Sequence, residues 1–190
     1  MPVRYFDLFD DVSIPERWEL GDPVDQSGQE VGNPWMFRKG VPVHVDGRLK
    51  VPIDRQGKPL DFSLAGVGVT PVVHAKVATL LAKLAPDDVQ FVPVDVEDRT
   101  DEFFILNVTR VVKCIDDKAS AEVQYWKPED GRSEKTGNYR AVHGLRIDPS
   151  KAGGAKVFRP WGWLVVLLVS DEIKGALERI GATGTKFKEV

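Results

Sequence analysis

Apolar residues spaced by three and four positions mark one segment of the chain as an amphipathic helix. Five of them fall on one helical face, namely Val73, Val77, Leu80, Leu81 and Leu84. Thr70 is a good N-cap, and Pro71 suits the first helical position because its φ is already fixed there. Pro86 ends the pattern. The sequence therefore predicts a first helix over residues 70–85.

A second helix is predicted near the end of the chain, over residues 171–180. Ser170 can cap it, and the acids Asp171 and Glu172 favour its positive end. Its apolar stripe consists of Ile173, Leu177 and Ile180. Gly181 is the residue type expected immediately after a helix.

Between the two helices the apolar pattern changes to a period of two, and β-branched and aromatic residues dominate. The predicted strands are Val89–Val96, Phe103–Ile115, Ala121–Trp126, Tyr139–Ile147, Val157-Phe158 and Trp163–Val169. No helical crossover separates them, which favours antiparallel pairing. The predicted fold class is α+β, a largely antiparallel sheet with two main helices, about 70–85 and 171–180, packed on it.

The N-terminal part, residues 1–70, is rich in Pro and Gly and is predicted to be loop-rich. Val3–Leu8 is a candidate first strand. Val41–Val45 and Leu49–Ile53 flank Asp46-Gly47, a dipeptide that favours a tight turn, so they are predicted to form a hairpin. At the other end, Thr183–Val190 is a candidate edge strand. We expect a single domain over 1–190, with a strand-rich C-terminal part over 87–190.

Length and composition are those of a globular protein that needs neither disulfides nor a structural metal ion to fold. The chain has 190 residues and one cysteine, Cys114, so no internal disulfide or thiolate cluster can form. Met1–Asp10 lacks the apolar stretch of a secretory signal, and the longest apolar run, Leu164–Val169, is too short to span a bilayer. We expect a soluble cytoplasmic protein with no membrane partner.

Charge is unevenly distributed, although the net charge is only −3. Residues 1–30 contain eight acids and two bases, a balance of −6. Such a stretch can steer a basic partner. A solvated, loop-rich N-terminus would have the same composition without any binding role. The absence of an overall basic charge leads us to expect no nucleic-acid partner.

No recognisable catalytic, metal or cofactor motif occurs in the sequence. The three histidines, His44, His74 and His143, lack metal-ligand spacing, and Gly66-Val67-Gly68 lacks the rest of a phosphate-binding loop. Cys114 lies in an apolar segment, where a thiol usually packs as a small hydrophobe. The enzymatic alternative is a site of residues brought together by the fold, such as His143 with Cys114 or with an acid. We expect no enzyme activity and no cofactor.

Tryptophans are the most distinctive residues for binding. The chain has five: Trp18, Trp35, Trp126, Trp161 and Trp163. Trp161 and Trp163 would lie on one face of an extended segment, and tryptophan is enriched in binding hot spots. Core packing is the other interpretation for each ring.

Several phrases of the sequence, taken together, resemble one known family. They are Val51-Pro52-Ile53, Leu60-Asp61-Phe62-Ser63, Leu84-Ala85-Pro86-Asp87-Asp88-Val89-Gln90, Ile105-Leu106-Asn107-Val108, Lys113-Cys114-Ile115-Asp116, Gly144-Leu145-Arg146-Ile147-Asp148, Phe158-Arg159-Pro160-Trp161-Gly162-Trp163 and Ile173-Lys174. The chain is similar here to immunity-protein family eleven of bacterial polymorphic toxin systems, first described as a myxobacterial domain of unknown function. The resemblance covers roughly residues 40–185, and none of its phrases encodes a chemistry.

The resemblance implies a cytoplasmic immunity protein that binds and occludes a cognate toxin or effector protein. Acidic side chains facing a basic toxin cleft are one way to achieve this. The candidate partner-binding residues are Asp7, Asp10, Asp11, Asp22, Asp25, Trp161 and Trp163. The alternatives are a small enzyme with a site assembled by the fold, and a ligand- or peptide-binding module around the last two tryptophans. The sequence leaves the toxin, the interface and the oligomeric state open.

Overall fold

Strands dominate the computed structural model, which describes residues 2–190. In chain order they are β1 (Tyr5–Asp10), β2 (Glu19–Leu20), β3 (Leu49–Val51), β4 (Ile53–Arg55), β5 (Phe62–Ala65), β6 (Thr70–His74), β7 (Val89–Val96), β8 (Phe103–Val108), β9 (Val111–Val112), β10 (Glu122–Tyr125), β11 (Tyr139–His143), β12 (Val157–Pro160), β13 (Leu168–Ser170) and β14 (Thr185–Glu189). The helices are α1 (Ala75–Leu84) and α2 (Asp171–Arg179). The predicted α+β class with two main helices is confirmed.

The strands form two five-stranded sheets and two short ribbons. One sheet has the order β14-β1-β13-β12-β9, and the other has the order β3-β7-β8-β6-β5. Strands β10 and β11 pair as a separate ribbon, and so do β2 and β4. Pairing is antiparallel except between β3 and β7 and between β12 and β9. The predicted antiparallel character is confirmed, and the predicted edge strand is β14, paired with β1.

The first helix begins at Ala75 rather than at the predicted Thr70. Thr70–His74 is β6, hydrogen-bonded between β5 and β8. The residue before a proline avoids helical backbone, and Val72-Val73 favours a strand. The ring of His74 caps the helix instead, accepting a hydrogen bond from the Lys76 N–H at 3.2 Å. The prediction of this N-terminus was wrong because strand pairing decided the conformation.

The second helix follows its prediction closely. The Ser170 hydroxyl accepts a hydrogen bond from the Ile173 N–H, and Gly181 follows the helix with a φ of +63°. Ile173, Ala176 and Leu177 are buried. Local capping and periodicity were therefore sufficient to locate α2.

The predicted hairpin around Asp46-Gly47 does not form. Leu49–Val51 pairs in parallel with β7, and Pro52 separates it from β4, which pairs with β2. Residues 41–45 have no strand partner, and side-chain amides bind their backbone. Gln90 bonds both the N–H and the carbonyl of Val43, at 2.9 and 2.8 Å, and Asn107 donates to the Val41 carbonyl at 2.9 Å.

The predicted strand Trp163–Val169 is also shorter than expected. Residues 161–165 form turns, and the strand is confined to β13. Gly162, with a φ of +78°, accounts for the reversal of the chain between the two tryptophans. Trp161-Gly162-Trp163 is therefore not extended.

Three groups of buried apolar residues hold the elements together. The largest joins both sheets to both helices, with Phe6, Phe62, Leu106, Val157 and Ile173 among its members. A second lies on the other face of the β3-β7-β8-β6-β5 sheet, beneath the N-terminal loops. The third packs Cys114, Phe158 and Leu168 on the other face of the first sheet. Within residues 2–190, neither helix has the length and apolar character needed to cross a membrane.

Candidate functional site

Three of the five candidate acids lie on or just after β1. Asp10 pairs with Arg17 at 3.2 Å. Asp11 accepts hydrogen bonds from the N–H and the hydroxyl of Ser13, at 3.1 and 2.5 Å, which lower the pKa of its carboxyl. Asp7 is half-buried, and burial raises the pKa of its carboxyl to about 6. These side chains are engaged with their own chain.

The other two acids stabilise loops. Asp22 accepts hydrogen bonds from the N–H groups of Val67 and Gly68, at 3.0 and 2.9 Å. Asp25 accepts from Ser27 and from the Gln29 N–H, and these bonds lower the pKa of its carboxyl. The structure therefore spreads the five acids over β1 and two loops. Their assignment to an interface stays a prediction.

The tryptophans divide into core and surface residues. Trp18 is 1% exposed and donates to the Ser63 hydroxyl at 2.9 Å, so it belongs to the core. Trp35 and Trp161 are 49% and 42% exposed. Trp126 and Trp163 are half-buried.

Three of these rings line one open recess of about 700 Å³. We call it the aromatic groove; its walls include Val41, Trp126, Lys135, Arg140, Trp161 and Trp163. It combines three partly exposed indoles with basic lining residues, and no acid of the described residues lines it. The structure thus brings Trp161 and Trp163 together, although by a turn rather than by an extended segment.

A turn docked on two strands positions the indole of Trp161. The backbone N–H of Trp161 donates to the Val112 carbonyl at 2.8 Å, extending the parallel pairing of β12 with β9. The Gly162 carbonyl accepts from the Tyr139 N–H at 3.1 Å, which ties the turn to β11. A Cβ on Gly162 would lie only 3.1 Å from the Tyr139 ring. Glycine is required here for both the positive φ and the close approach.

Arg159 supports the loop that carries Trp163. Its buried guanidinium donates from one nitrogen to the carbonyls of Leu164 and Val166, at 2.9 and 3.2 Å. Burial lowers the pKa of Arg159 to about 10, which leaves it charged at neutral pH. It also lines a smaller cleft of about 300 Å³, together with Asp7 and Trp163. One charged side chain thus fixes the backbone between two recesses.

Cations lie over the indoles of the aromatic groove. The Lys113 Nζ is 4.9 Å from the centre of the Trp161 ring. Lys135 Nζ and Arg140 Cζ are each 5.1 Å from the centre of the Trp126 ring. Cation–π contacts of this kind are worth about 0.5–1 kcal/mol at exposed sites. The groove therefore combines apolar surface with positive charge.

The ribbon that carries Trp126 is braced by one carboxylate. Asp117 accepts hydrogen bonds from the hydroxyls of Tyr125 and Tyr139, the second at 2.6 Å. The two tyrosine rings are 4.7 Å apart. Burial, reinforced by the hydrogen bond to Asp117, raises the pKa of Tyr139, so its hydroxyl stays a donor at neutral pH. The hydrogen bonds to Asp117 therefore hold in place the wall of the groove that β11 forms.

Comparison with known proteins identifies the relationship. A family profile described as Immunity protein family (Imm11) matches residues 4–190, nearly the whole chain. The chain belongs to this family. The resemblance recognised in the sequence is confirmed, and it extends beyond residues 40–185. No curated protein matches the chain.

One form of the enzymatic alternative for this Imm11 protein paired Cys114 with His143. Cys114 is fully buried, and burial raises the pKa of its thiol to about 12, so it is not a thiolate at neutral pH. His143 lies on the exposed ribbon strand β11. No hydrogen bond joins the two residues in the described part of the chain. Residues 2–190 also contain no cluster of three His, Cys, Asp or Glu side chains able to hold a metal ion.

A further recess, of about 530 Å³, lies beside β3 and the end of β7. Three of its polar residues already have partners. Glu97 accepts from the Ile53 N–H at 2.8 Å, Lys50 donates to the Gln26 carbonyl at 3.3 Å, and Asp95 pairs with Arg48. The recess therefore offers fewer free polar groups than the aromatic groove of this Imm11 protein.

Sequence reasoning found Trp161 and Trp163 but missed Trp126, Lys113, Lys135 and Arg140. These residues come from the β10–β11 ribbon and from the segment after β9, and long-range pairing brings them to the turn at Gly162. The available signal was weak. Trp126 and Arg140 lie in predicted strands, and no spacing along the chain links either of them to Trp161.

Proposed function

We propose that this protein neutralises a bacterial effector by binding it and occluding its working surface. The observation that carries the proposal is the match of the immunity family profile over residues 4–190. Occlusion requires only a complementary surface, because a bound protein of this size excludes substrate from a toxin's cleft. The producing cell would be protected in its cytoplasm, where the toxin of a polymorphic system acts.

The aromatic groove supports the proposal as a binding surface. Tryptophan, tyrosine and arginine are over-represented among the residues that contribute most to protein–protein affinity, and the groove contains all three. Trp161 and Val165 are 42% and 49% exposed at the groove, so they would gain burial in a complex.

The test is co-expression with the product of the adjacent upstream gene in a sensitive bacterial host. We expect growth to be restored, and the two proteins to co-purify as a complex. Leu106→Asp, which places a charge in the core, is the unfolded control and should not protect. A folded wild-type chain that neither binds nor protects would contradict the proposal.

The acids of residues 1–30 provide a separate hypothesis for the contact. Reversing Asp10, Asp11 and Asp25 to lysine should slow association with the toxin and weaken its salt dependence if these acids face a basic cleft. An unchanged association rate and salt slope in a folded variant would remove them from the interface.

A further inference from the structure

We propose that the aromatic groove is the docking site for an acidic segment of the partner polypeptide, one that also carries apolar side chains. The identity of the partner as a toxin rests on the proposed function. The chemistry of the docking segment is inferred from the groove alone. In this inference the immunity protein contributes positive charge to the interface. The N-terminal acids would instead contribute negative charge.

The first argument is unneutralised charge. Lys113 and Lys135 lie over indole rings and make no ion pair among residues 2–190. Lys39, an exposed residue of the same groove, makes none either. Elsewhere on the described surface about half of the lysines face acids, as Lys156 faces Glu172 at 2.8 Å and Lys174 faces Glu178 at 2.6 Å. Lys39 and Lys135 line the groove and Lys113 lies over the Trp161 ring at its edge, so three lysines are available to a carboxylate from outside.

The second argument is that the cations surround an apolar surface. Trp161 and Val165 are 42% and 49% exposed, and the half-buried Trp163 lies between them in the chain. A purely charged ligand would leave this surface in water, whereas a segment with both acidic and apolar side chains would satisfy both parts. Desolvation by the apolar side chains would also strengthen the cation–carboxylate attraction.

The third argument is preorganisation. Arg159 binds two carbonyls of the 161–167 loop, and the Tyr139 N–H binds the turn at Gly162. Gly40, with a φ of +71°, lets the opposite wall approach Val111 so closely that a Cβ would clash. Little ordering would be required on binding, which favours affinity.

A nucleic acid fits the groove less well than an acidic polypeptide. A strand of nucleic acid carries a charge at every nucleotide and needs cations along its whole path. The connection between β10 and β11 places Glu129, Asp130 and Glu134 beside the groove, and Asp130 already pairs with Arg140 at 3.1 Å.

The experiment measures the affinity of purified variants for the toxin at several salt concentrations. Lys113→Glu/Lys135→Glu and, separately, Trp161→Ala should each weaken binding by about tenfold or more, a loss typical of hot-spot residues. The double variant should also flatten the salt dependence. All three substituted residues are at least partly exposed, so we expect these variants to fold.

Matched controls separate local from global effects. Lys83→Glu/Lys118→Glu changes the net charge by the same amount at exposed lysines outside the groove that pair with no acid of the described chain, and Trp35→Ala removes an indole that is 49% exposed elsewhere. These variants should bind within about twofold of wild type. If the groove and control variants weaken binding equally, or if neither does, the acidic-segment inference is overturned while the immunity function stands.

A second titration does not depend on the toxin. The wild-type protein is titrated with a short synthetic peptide of repeated Asp-Leu-Glu-Phe. The comparison ligands are the same peptide with lysine in place of each acidic residue, and oligothymidylate. We expect the acidic peptide to bind, the basic one to fail, and Lys113→Glu/Lys135→Glu to abolish binding. Tighter binding of oligothymidylate, or peptide binding unaffected by the double variant, would overturn the inference. A wild type that binds the acidic peptide but not the toxin would contradict the proposed function alone.

Discussion

Asp7 carries a charge that the fold disfavours. Burial raises the pKa of its carboxyl to about 6, and attraction by Lys188 and Arg159, with a backbone hydrogen bond at Leu167, opposes this only partly. Between its unfolded pKa, about 4, and its folded pKa, the folded chain binds a proton that the unfolded chain has released. The free energy of unfolding contributed by Asp7 therefore falls as the pH rises through this window.

Replacing Asp7 by Asn should stabilise the protein at neutral and higher pH. We expect the free energy of unfolding to rise by roughly 1–2 kcal/mol above pH ~7, with no gain near pH ~4, where the native carboxyl is also neutral. Urea titrations at a series of pH values measure this. Asp11→Asn is the control, and its free energy of unfolding should fall rather than rise at neutral pH. Hydrogen bonds from Ser13 lower the pKa of Asp11, so the fold favours its charged form. A gain for Asp7→Asn that is independent of pH would contradict the assignment.

Arg159 is expected to act on the groove through the backbone it holds. Arg159→Leu preserves apolar volume but removes the donors to the Leu164 and Val166 carbonyls, and leaving such groups unpaired costs about 1–3 kcal/mol. Amide exchange at Trp163 and Leu8, whose N–H groups bond within or onto this loop, should become faster. Arg159→Lys, which keeps the charge and a donor, should restore part of the protection. Unchanged exchange in Arg159→Leu would show that the loop does not depend on the guanidinium.

At the scale of the elements, residues 41–45 have no strand partner, and side-chain amides take the place of the backbone hydrogen bonds that a neighbouring strand would supply. Asn107 is fully buried on β8, and its amide donates both to the Val41 carbonyl and to Gln90, each at 2.9 Å. Gln90 in turn binds the backbone of Val43. The segment that begins at Val41, a wall residue of the aromatic groove, is therefore positioned by two amides of the β7–β8 pair.

Asn107→Ala should loosen this segment. We expect a loss of roughly 1–3 kcal/mol in the free energy of unfolding, because the Val41 carbonyl and the Gln90 amide lose a buried partner. Exchange of the Val43 amide should accelerate more than that of amides in α2. Gln124→Ala, at an exposed ribbon position, should change neither quantity. An unaffected Val43 amide would mean that other contacts position the segment.

At the scale of the whole molecule, the predicted single domain can be argued from the shared core. The largest apolar cluster contains Phe6 and Phe62 from the N-terminal part, and Leu106, Val157 and Ile173 from the C-terminal part. The second cluster likewise packs Trp18 and Phe37 against Ile105. Residues this far apart in sequence lose their contacts together when either part unfolds.

We therefore expect one cooperative unfolding transition for residues 1–190. Thermal melts followed by far-ultraviolet circular dichroism and by tryptophan fluorescence should coincide, and the calorimetric and van't Hoff enthalpies should agree. Trp18 reports on the N-terminal loops and Trp163 on the β12–β13 region, so the fluorescence covers both parts. Two separated transitions would divide the chain near residue 70 and contradict the single domain.

The sequence by itself determined the α+β class, helix α2 with its cap, strand β7 and the edge strand β14, because capping, periodicity and β-branching act within a few residues. It also identified the family, and it singled out Trp161 and Trp163 as candidate binding residues, which stays a prediction. Only the tertiary structure decided that Thr70–His74 is a strand, that Leu49–Val51 pairs in parallel with β7, and that the aromatic groove is rimmed by lysines. In each case the deciding contact joins distant segments, so no local pattern could record it. The N-terminal acids show the reverse. Their charge was visible in the sequence, but their hydrogen bonds to their own chain were not.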